Sequence, residues 1–293
     1  MSILSLYIRK NFAKGDKQRD AGLSTPADII RYDSIQYGPD KKWQSLDVYR
    51  PKNIEGKLPV IISVHGGGWV YGDKEVYQFY CMSLAQRGFA VINFNYRLAP
   101  ENKYPAQVED TDAVVKWMLN NEDVYGFDLN NVFAVGDSAG GHLLSVYNLI
   151  LTNKEYAKNY YLNPPVNFRF NAIALNCGVY QQEMPSKKDM KASLLNDLLP
   201  KGWGEKELNI LNTYDKITKD FPPTFVMSAN GDFLRGQVDI IVPELEKNNV
   251  EHEVHIYGTD DNQLGHVFHC NIRYIDAKKC NDEECEFFRR HMM

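Results

Sequence analysis

Two glycine-rich segments carry the residues of this sequence best suited to chemistry. Residues 136–141 read Gly-Asp-Ser-Ala-Gly-Gly, which contains the G-x-S-x-G pattern of a nucleophile elbow, a sharp strand-to-helix turn that exposes a serine hydroxyl. Residues 65–69 read His-Gly-Gly-Gly-Trp, the pattern of a loop whose backbone amides hold an oxyanion. A serine with amide donors nearby indicates nucleophilic attack on a carbonyl group.

Ser138 is the candidate nucleophile, because the elements that an elbow needs surround it. A β-type run, residues 131–135, precedes the motif, and an apolar segment with the composition of a buried helix, residues 142–151, follows it. We expect the backbones to pass so closely that Gly136 and Gly140 must lack side chains. We also expect Ser138 to hold a strained backbone conformation.

The oxyanion that this attack creates needs backbone donors. The sequence offers Ala139, directly after the serine, and the glycine loop, where we expect Gly67 and Gly68 to donate, with Gly66 as an alternative. A phosphate loop is the competing interpretation, but neither G-x-x-x-x-G-K-[ST] nor G-x-G-x-x-G occurs. Trp69 is predicted to contact substrate, and packing beneath the loop is an equal alternative.

A third signature, Tyr-Arg-Leu-Ala-Pro-Glu at residues 96–101, lies between the two segments. With these three motifs the chain resembles the hormone-sensitive-lipase-like (HGGG, GDSAGG) esterases of the α/β-hydrolase class, from about residue 46 to residue 266. The resemblance implies that His65 shapes its loop rather than acting as a base. It also implies catalysis without a metal or an organic cofactor. We expect Arg97, Glu101 and Asp110 to form an ion network beneath the site.

Chain order in such hydrolases selects the acid, because the triad runs serine, then acid, then histidine. Asp232 directly follows an apolar strand-like run, and the local pattern D-x-L is similar to that of the family. Asp239, on a predicted helix, and Asp260 and Asp261, in the loop of the candidate base, are the alternatives.

The candidate base is His266, because it follows the last predicted strand and a small residue precedes it, as in the family. His269 is the nearest alternative, whereas His252 and His255 fall on a predicted strand and His142 is expected to cap or pack. A zinc site is a further alternative, but no C-x-x-C spacing supports it. Its ligands would be His266, His269, Cys270, Cys280 and Cys285.

Alternating strand and helix patterns predict the elements that must position these residues. Strands are predicted at 45–51 as a half-exposed edge, and at 58–64, 89–94, 131–135, 170–176, 224–228 and 251–257. Helices are predicted at 104–120, 142–151, 237–248 and 278–290. This alternation indicates an α/β fold with a mostly parallel sheet of about eight strands. We expect one α/β-hydrolase domain over residues 1–293, with a small helical cap from residues 1–40 and 180–220.

Composition excludes several classes of partner. The 293 residues carry a net charge of −5, which argues against binding to nucleic acid. Five cysteines show no disulfide framework, so a reducing compartment is predicted. The sequence has neither a signal-peptide pattern nor an apolar run long enough to span a bilayer. We therefore predict a cytoplasmic protein without a membrane partner, and the oligomeric state is left open.

Together these features predict a serine esterase that hydrolyses short-chain carboxylic esters, such as acetylated sugars or aryl esters, through a Ser138–His266–Asp232 triad. An amidase of the formamidase type is the alternative enzyme. A non-catalytic small-ligand-binding protein on the same fold is a third interpretation. It is disfavoured because candidates for all three triad members are present.

Overall fold

The computed structural model describes residues 1–186 and 189–293; residues 187 and 188, within the predicted cap segment, lie outside the described ranges. Among the described residues, a single sheet contains eight strands. In chain order they are β1 (Ile29–Gln36), β2 (Ser45–Pro51), β3 (Leu58–Val64), β4 (Ala90–Phe94), β5 (Phe127–Asp137), β6 (Ala172–Asn176), β7 (Thr224–Ala229) and β8 (His252–Tyr257).

The strands are ordered β1-β2-β4-β3-β5-β6-β7-β8 across the sheet. The β1–β2 and β2–β4 pairs are antiparallel, and every other pair is parallel. The predicted α/β class and mostly parallel sheet are therefore confirmed. Parallel neighbours bring their carboxyl ends to the same edge, and open sheets of this kind bind ligands there.

Helices cover both faces of the sheet and its carboxyl edge. The described α-helices are α1 (Ile3–Asp20), α2 (Lys74–Ala85), α3 (Ala106–Asn120), α4 (Glu122–Tyr125), α5 (Ala139–Thr152), α6 (Lys154–Ala157), α7 (Met190–Leu198), α8 (Glu205–Leu211), α9 (Val238–Lys247) and α10 (Ile275–Arg290). Short 3-10 helices occupy Tyr214–Lys216, Arg235–Gln237 and Phe268–Cys270.

The central strands are buried on both faces, as their continuous apolar runs predict. In β3, Val60 and Ile62 face a core formed with α3, α5 and α9, whereas Ile61 faces the core formed with α2 and α10. Burying each such side chain contributes about 1.5–3 kcal/mol. The two cores hold β5, and with it the start of α5, in a fixed position.

The prediction of helices alone for residues 1–40 was wrong for residues 29–36. These residues form β1, which pairs antiparallel with β2. Consequently β2 is an interior strand, buried from Leu46 to Pro51, rather than the predicted half-exposed edge. Only half of the β1 side chains are apolar and half are exposed, so the segment lacks the continuous apolar run that marks an interior strand.

Helix α1 lies over the carboxyl edge of the sheet and is attached to the rest of the molecule by polar contacts. Arg9 donates to the carbonyls of Val70 and Ala99 and pairs with Glu101 at 2.7 Å. Nearer the amino end, the Ser5 hydroxyl donates to Asp197 of α7 over 2.6 Å. Helices α1 and α7 thus cover the region beyond the carboxyl ends of the strands.

The helices of the described residues include none with the length and apolar character needed to cross a membrane. All five cysteines are buried and free of disulfides.

Candidate active site

Ser138 occupies the turn between β5 and α5, with φ +52° and ψ −118°. A non-glycine residue rarely adopts this conformation, which confirms the strain expected of an elbow. The amide of Ser138 donates to the Asn176 carbonyl at the end of β6 over 2.9 Å. A Cβ atom at Gly140 would lie 2.0 Å from the Val64 carbonyl oxygen. The helix can therefore approach β3 this closely only because a glycine stands there.

Asp232 and His266 meet at the same edge of the sheet. Asp232 follows β7 and His266 lies in the loop after β8. His266 Nδ1 is 2.7 Å from Asp232 Oδ1. The other oxygen of the carboxylate accepts from the Ser228 hydroxyl over 2.8 Å, and the Leu234 amide donates to Oδ1 over 2.9 Å. This pairing holds the imidazole in place and leaves its Nε2 atom available to act as a base.

The surroundings of Asp232 favour its charged form. Burial opposes the charge, but hydrogen bonds from His266, the Leu234 amide and the Cys177 thiol hold the pKa of Asp232 below its ordinary value. Cys177 lies directly after β6 with φ +49°, and its sulfur lies within 4.8 Å of the nearest ligand atoms of Asp232 and His266. An ionised carboxylate beside Nδ1 stabilises an imidazolium as it forms.

The alternative acids and bases lie elsewhere. Asp239 is on α9, where it pairs with Arg235, and Asp260 and Asp261 are exposed in their loop. His269 is fully buried, and burial lowers its pKa to about 3. In the described ranges of the chain, the group of side chains close enough to hold a metal ion is Cys177, Asp232 and His266. That group differs from the histidine and cysteine set that the sequence offered as a zinc site.

The glycine loop lies beside the elbow. His65 is fully buried, with Nδ1 2.8 Å from the Gly66 carbonyl oxygen and its ring stacked on Tyr96 at 4.0 Å between centroids. Burial lowers the pKa of His65 to about 4, so it stays neutral. This placement agrees with the loop-shaping role that the resemblance implied.

The glycine amides of this loop differ in whether they already donate a hydrogen bond within the protein. The Gly66 amide donates to the Tyr77 hydroxyl over 3.0 Å, whereas the described hydrogen bonds use neither the Gly67 nor the Gly68 amide. Ala139 is the first residue of α5, where an amide has no acceptor within its own helix. The backbone amides available to an oxyanion are therefore those of Gly67, Gly68 and Ala139. The Gly66 amide is already used by Tyr77.

The structure shows Trp69 packed beneath the loop, and its contact with substrate stays a prediction. Its side chain is 4% exposed, and its indole N–H donates to His142 Nδ1 over 3.2 Å, so it packs beneath the loop. It also lies on the wall of a cavity that reaches Ser138. His142 Nε2 is 2.9 Å from the Leu211 carbonyl oxygen, in agreement with the expected packing role.

Two cavities open on Ser138. Their volumes are about 320 Å³ and 570 Å³. Ser138, His266, Phe12 and Phe233 line both of them. The Phe233 ring is 74% exposed and lies 4.4 Å from the His266 ring. Both cavities therefore give access to Ser138 and His266.

The ion network predicted around residues 96–101 is only partly as expected. Arg97 pairs with Asp110 at 2.9 Å and with Glu109 at 2.8 Å. Glu101 is not its partner, because it pairs with Arg9 of α1. The prediction failed there because the placement of α1 could not be derived from the sequence.

Sequence reasoning missed four residues at the site: Phe12, Tyr77, Cys177 and Ser228. Cys177 and Ser228 lie at or just beyond the carboxyl ends of β6 and β7, and strand ends next to an elbow would have been a usable signal. Tyr77 and Phe12 are on helices, and nothing in their local sequence marks them.

Comparison with known proteins relates the chain to a family of similar sequences and to several esterases. The family model described as BD-FAE matches residues 46–243. Esterase LipC of Mycobacterium tuberculosis is 36% identical over 124 residues, which cover 42% of this chain and 30% of LipC. The versiconal hemiacetal acetate esterase of Dothistroma septosporum is 28% identical over 223 residues, covering 69% of this chain and 65% of that enzyme. The match thus spans less than two thirds of either relative's length.

A solved structure is similar over the whole chain. Esterase B of Lactobacillus rhamnosis, in a structure with a tributyrin phosphonate inhibitor, superposes with a TM-score of 0.88 at 29% identity. The superposition covers 100% of this chain and 96% of that one. The fold is therefore that of the α/β-hydrolase esterases.

Proposed function

This chain belongs to the BD-FAE family, and from that premise we propose that it is a serine carboxylesterase acting on short-chain esters. The contact between His266 Nδ1 and Asp232 Oδ1, in a site whose cavities both reach Ser138, is the observation that carries the proposal. The esterase names of its relatives and of the similar solved structure support the same reaction class.

In the first half of the proposed reaction, Ser138 Oγ attacks the ester carbonyl carbon while His266 Nε2 takes the hydroxyl proton. The carbonyl π electrons move to oxygen, and the amides of Gly67, Gly68 and Ala139 donate to that oxyanion. As the intermediate collapses, the bond to the alcohol oxygen breaks and His266 returns the proton to the departing alcohol. Ser138 is left acylated.

In the second half, His266 takes a proton from water while the water oxygen attacks the acyl carbon. Collapse releases the carboxylic acid and returns the proton to Ser138. Asp232 stays ionised throughout and stabilises the imidazolium in both halves. Loss of a single oxyanion donor would cost about 2.7–4 kcal/mol in the transition state, so the two free glycine amides are central to the proposed rate.

The cavities support a small substrate. Cavities of about 320 Å³ and 570 Å³, both lined by Ser138, suit a short acyl chain with a modest alcohol group, such as an acetylated sugar or an aryl ester. The similar esterase B was solved with a phosphonate derived from tributyrin, a short-acyl ester. The single domain over residues 1–293 and the cytoplasmic location stay predictions from the sequence.

The test is hydrolysis of p-nitrophenyl esters of increasing acyl length by the wild-type chain and Ser138→Ala. We expect turnover of the short esters to fall at least about 10³-fold in the variant. Ser145→Ala is the matched control, because Ser145 lies in α5 with a buried hydroxyl that has no hydrogen-bond partner among the described residues. Wild-type turnover by Ser138→Ala would contradict the proposal.

A further inference from the structure

Tyr77 connects the glycine loop to the strand that carries the nucleophile. Its hydroxyl accepts from the Gly66 amide over 3.0 Å and donates to Asp137 Oδ2 over 2.7 Å. Asp137 is the residue directly before Ser138, and Gly66 directly precedes Gly67. One hydroxyl thus joins the two backbone segments that must hold a constant distance if both are to donate to one oxygen atom.

The contact is tight and shielded from water. Tyr77 is 7% exposed and Asp137 is 3% exposed. A Cβ atom at Gly66 would lie 2.6 Å from Asp137 Oδ2 and 3.0 Å from the Tyr77 hydroxyl oxygen. A buried hydrogen bond to a carboxylate is stronger than one between neutral groups, so this connection resists movement of the loop.

Both partners depend on the hydroxyl. Burial raises the pKa of Asp137 to about 6, and the hydrogen bond from Tyr77 acts in the opposite direction. Without the hydroxyl, the buried carboxylate would lose its side-chain donor and the Gly66 amide would lose its acceptor. Unsatisfied buried groups of this kind are costly, so the loop and the carboxylate would both rearrange.

We propose that Tyr77 and Asp137 are positioning residues that hold Gly66 against the elbow, so that the Gly67 and Gly68 amides face the oxyanion at a fixed distance from Ala139. This inference rests on the proposed esterase function and adds two residues to it. Neither residue takes part in proton transfer; they act through the geometry of the glycine loop.

The first test is Tyr77→Phe, assayed with p-nitrophenyl butyrate. The oxyanion forms only on the way to the transition state, so its loss should appear in kcat rather than in KM. We expect kcat to fall about 10- to 100-fold, as displacements of about 1 Å do in other enzymes, with KM within about twofold of wild type.

Tyr80→Phe is the matched control. Tyr80 lies one turn along α2, is 2% exposed, and donates to the buried carboxylate of Glu284 over 3.0 Å. Both variants lose a buried hydroxyl that donates to a carboxylate, so both melting temperatures should fall, that of Tyr77→Phe further because its hydroxyl also accepts from the Gly66 amide. Only Tyr77→Phe should lose kcat. Equal kcat in the two variants would overturn the inference.

A second measurement distinguishes coupling between Tyr77 and Asp137 from a general loss of structure. Asp137→Asn retains an oxygen that can accept from Tyr77, and should lose less kcat than Tyr77→Phe. If the pair acts as one unit, the double variant should be no slower than Tyr77→Phe alone. Losses that multiply would contradict the proposal.

Ser138→Ala, assayed together with these variants, distinguishes failure of the positioning role from failure of the proposed esterase function. If it loses activity while Tyr77→Phe retains wild-type kcat, the esterase function stands and the positioning role is wrong. If Ser138→Ala keeps activity, the esterase function itself is wrong and the inference falls with it.

Discussion

His266 Nδ1 lies 2.7 Å from Asp232 Oδ1. We predict that Asp232→Asn lowers kcat about 10⁴-fold, because an amide can present an N–H to Nδ1 and so favour the tautomer that carries the proton on Nε2. The measurement is steady-state hydrolysis of p-nitrophenyl butyrate. Asp239→Asn is the control, since the Asp239 side chain is 71% exposed and pairs with Arg235 of the neighbouring turn. A similar loss in both variants would contradict the assignment of Asp232.

Trp69→Phe should destabilise the protein by about 1–3 kcal/mol, because His142 Nδ1 would lose its donor in a buried site. Burial lowers the pKa of His142 to about 4, so the imidazole stays neutral and Nδ1 needs that donor. Urea unfolding measures the change. Trp43→Phe is the comparison, because the described hydrogen bonds of Trp43 use its backbone amide only. An equal change at the two sites would show that the Trp69–His142 bond contributes nothing specific.

Phe12→Ala should change selectivity for acyl length. Phe12 lines both cavities at Ser138, so removal of its ring should enlarge the space for the longer half of a substrate. We expect kcat/KM for p-nitrophenyl octanoate, relative to the acetate, to rise about tenfold. Tyr7→Ala is the control, because Tyr7 is 60% exposed on the same helix and lines neither cavity. An unchanged ratio in Phe12→Ala would show that α1 does not limit acyl length.

Glu284→Gln should alter the dependence of stability on pH. Burial raises the pKa of Glu284 from 4.5 to about 7, against hydrogen bonds from Asn176 and Tyr80. Below pH 4.5 the carboxyl is protonated in both states. As the pH rises toward 7 it ionises first in the unfolded chain, which destabilises the folded wild type.

The glutamine variant lacks this titration, so its free energy of unfolding should rise relative to wild type between pH 4.5 and pH 7. The total difference should be about 3 kcal/mol and constant at higher pH. Denaturant unfolding at several pH values measures it. A pH-independent difference would show that Glu284 is ionised in the folded protein across this range.

The sequence by itself was enough to predict the features that depend on local backbone geometry. The strained turn at Ser138 and the contact that requires Gly140 both follow from a short motif between a strand and a helix. The buried parallel strands follow from continuous apolar runs, because a strand covered on both faces has no polar side. Chain order, a strand end and the local patterns of the family that the chain resembles selected Asp232 and His266, which the structure brings together.

Tertiary structure alone decided contacts between segments that are distant in the chain. The edge strand β1 has little apolar periodicity and forms because β2 offers an unpaired edge. Arg9, rather than Arg97, is the partner of Glu101 because α1 lies across the strand ends. Tyr77 reaches Gly66 and Asp137 only once α2 packs against the sheet. Such pairings depend on sheet order and helix placement, which the summed packing of the chain determines and short patterns do not encode.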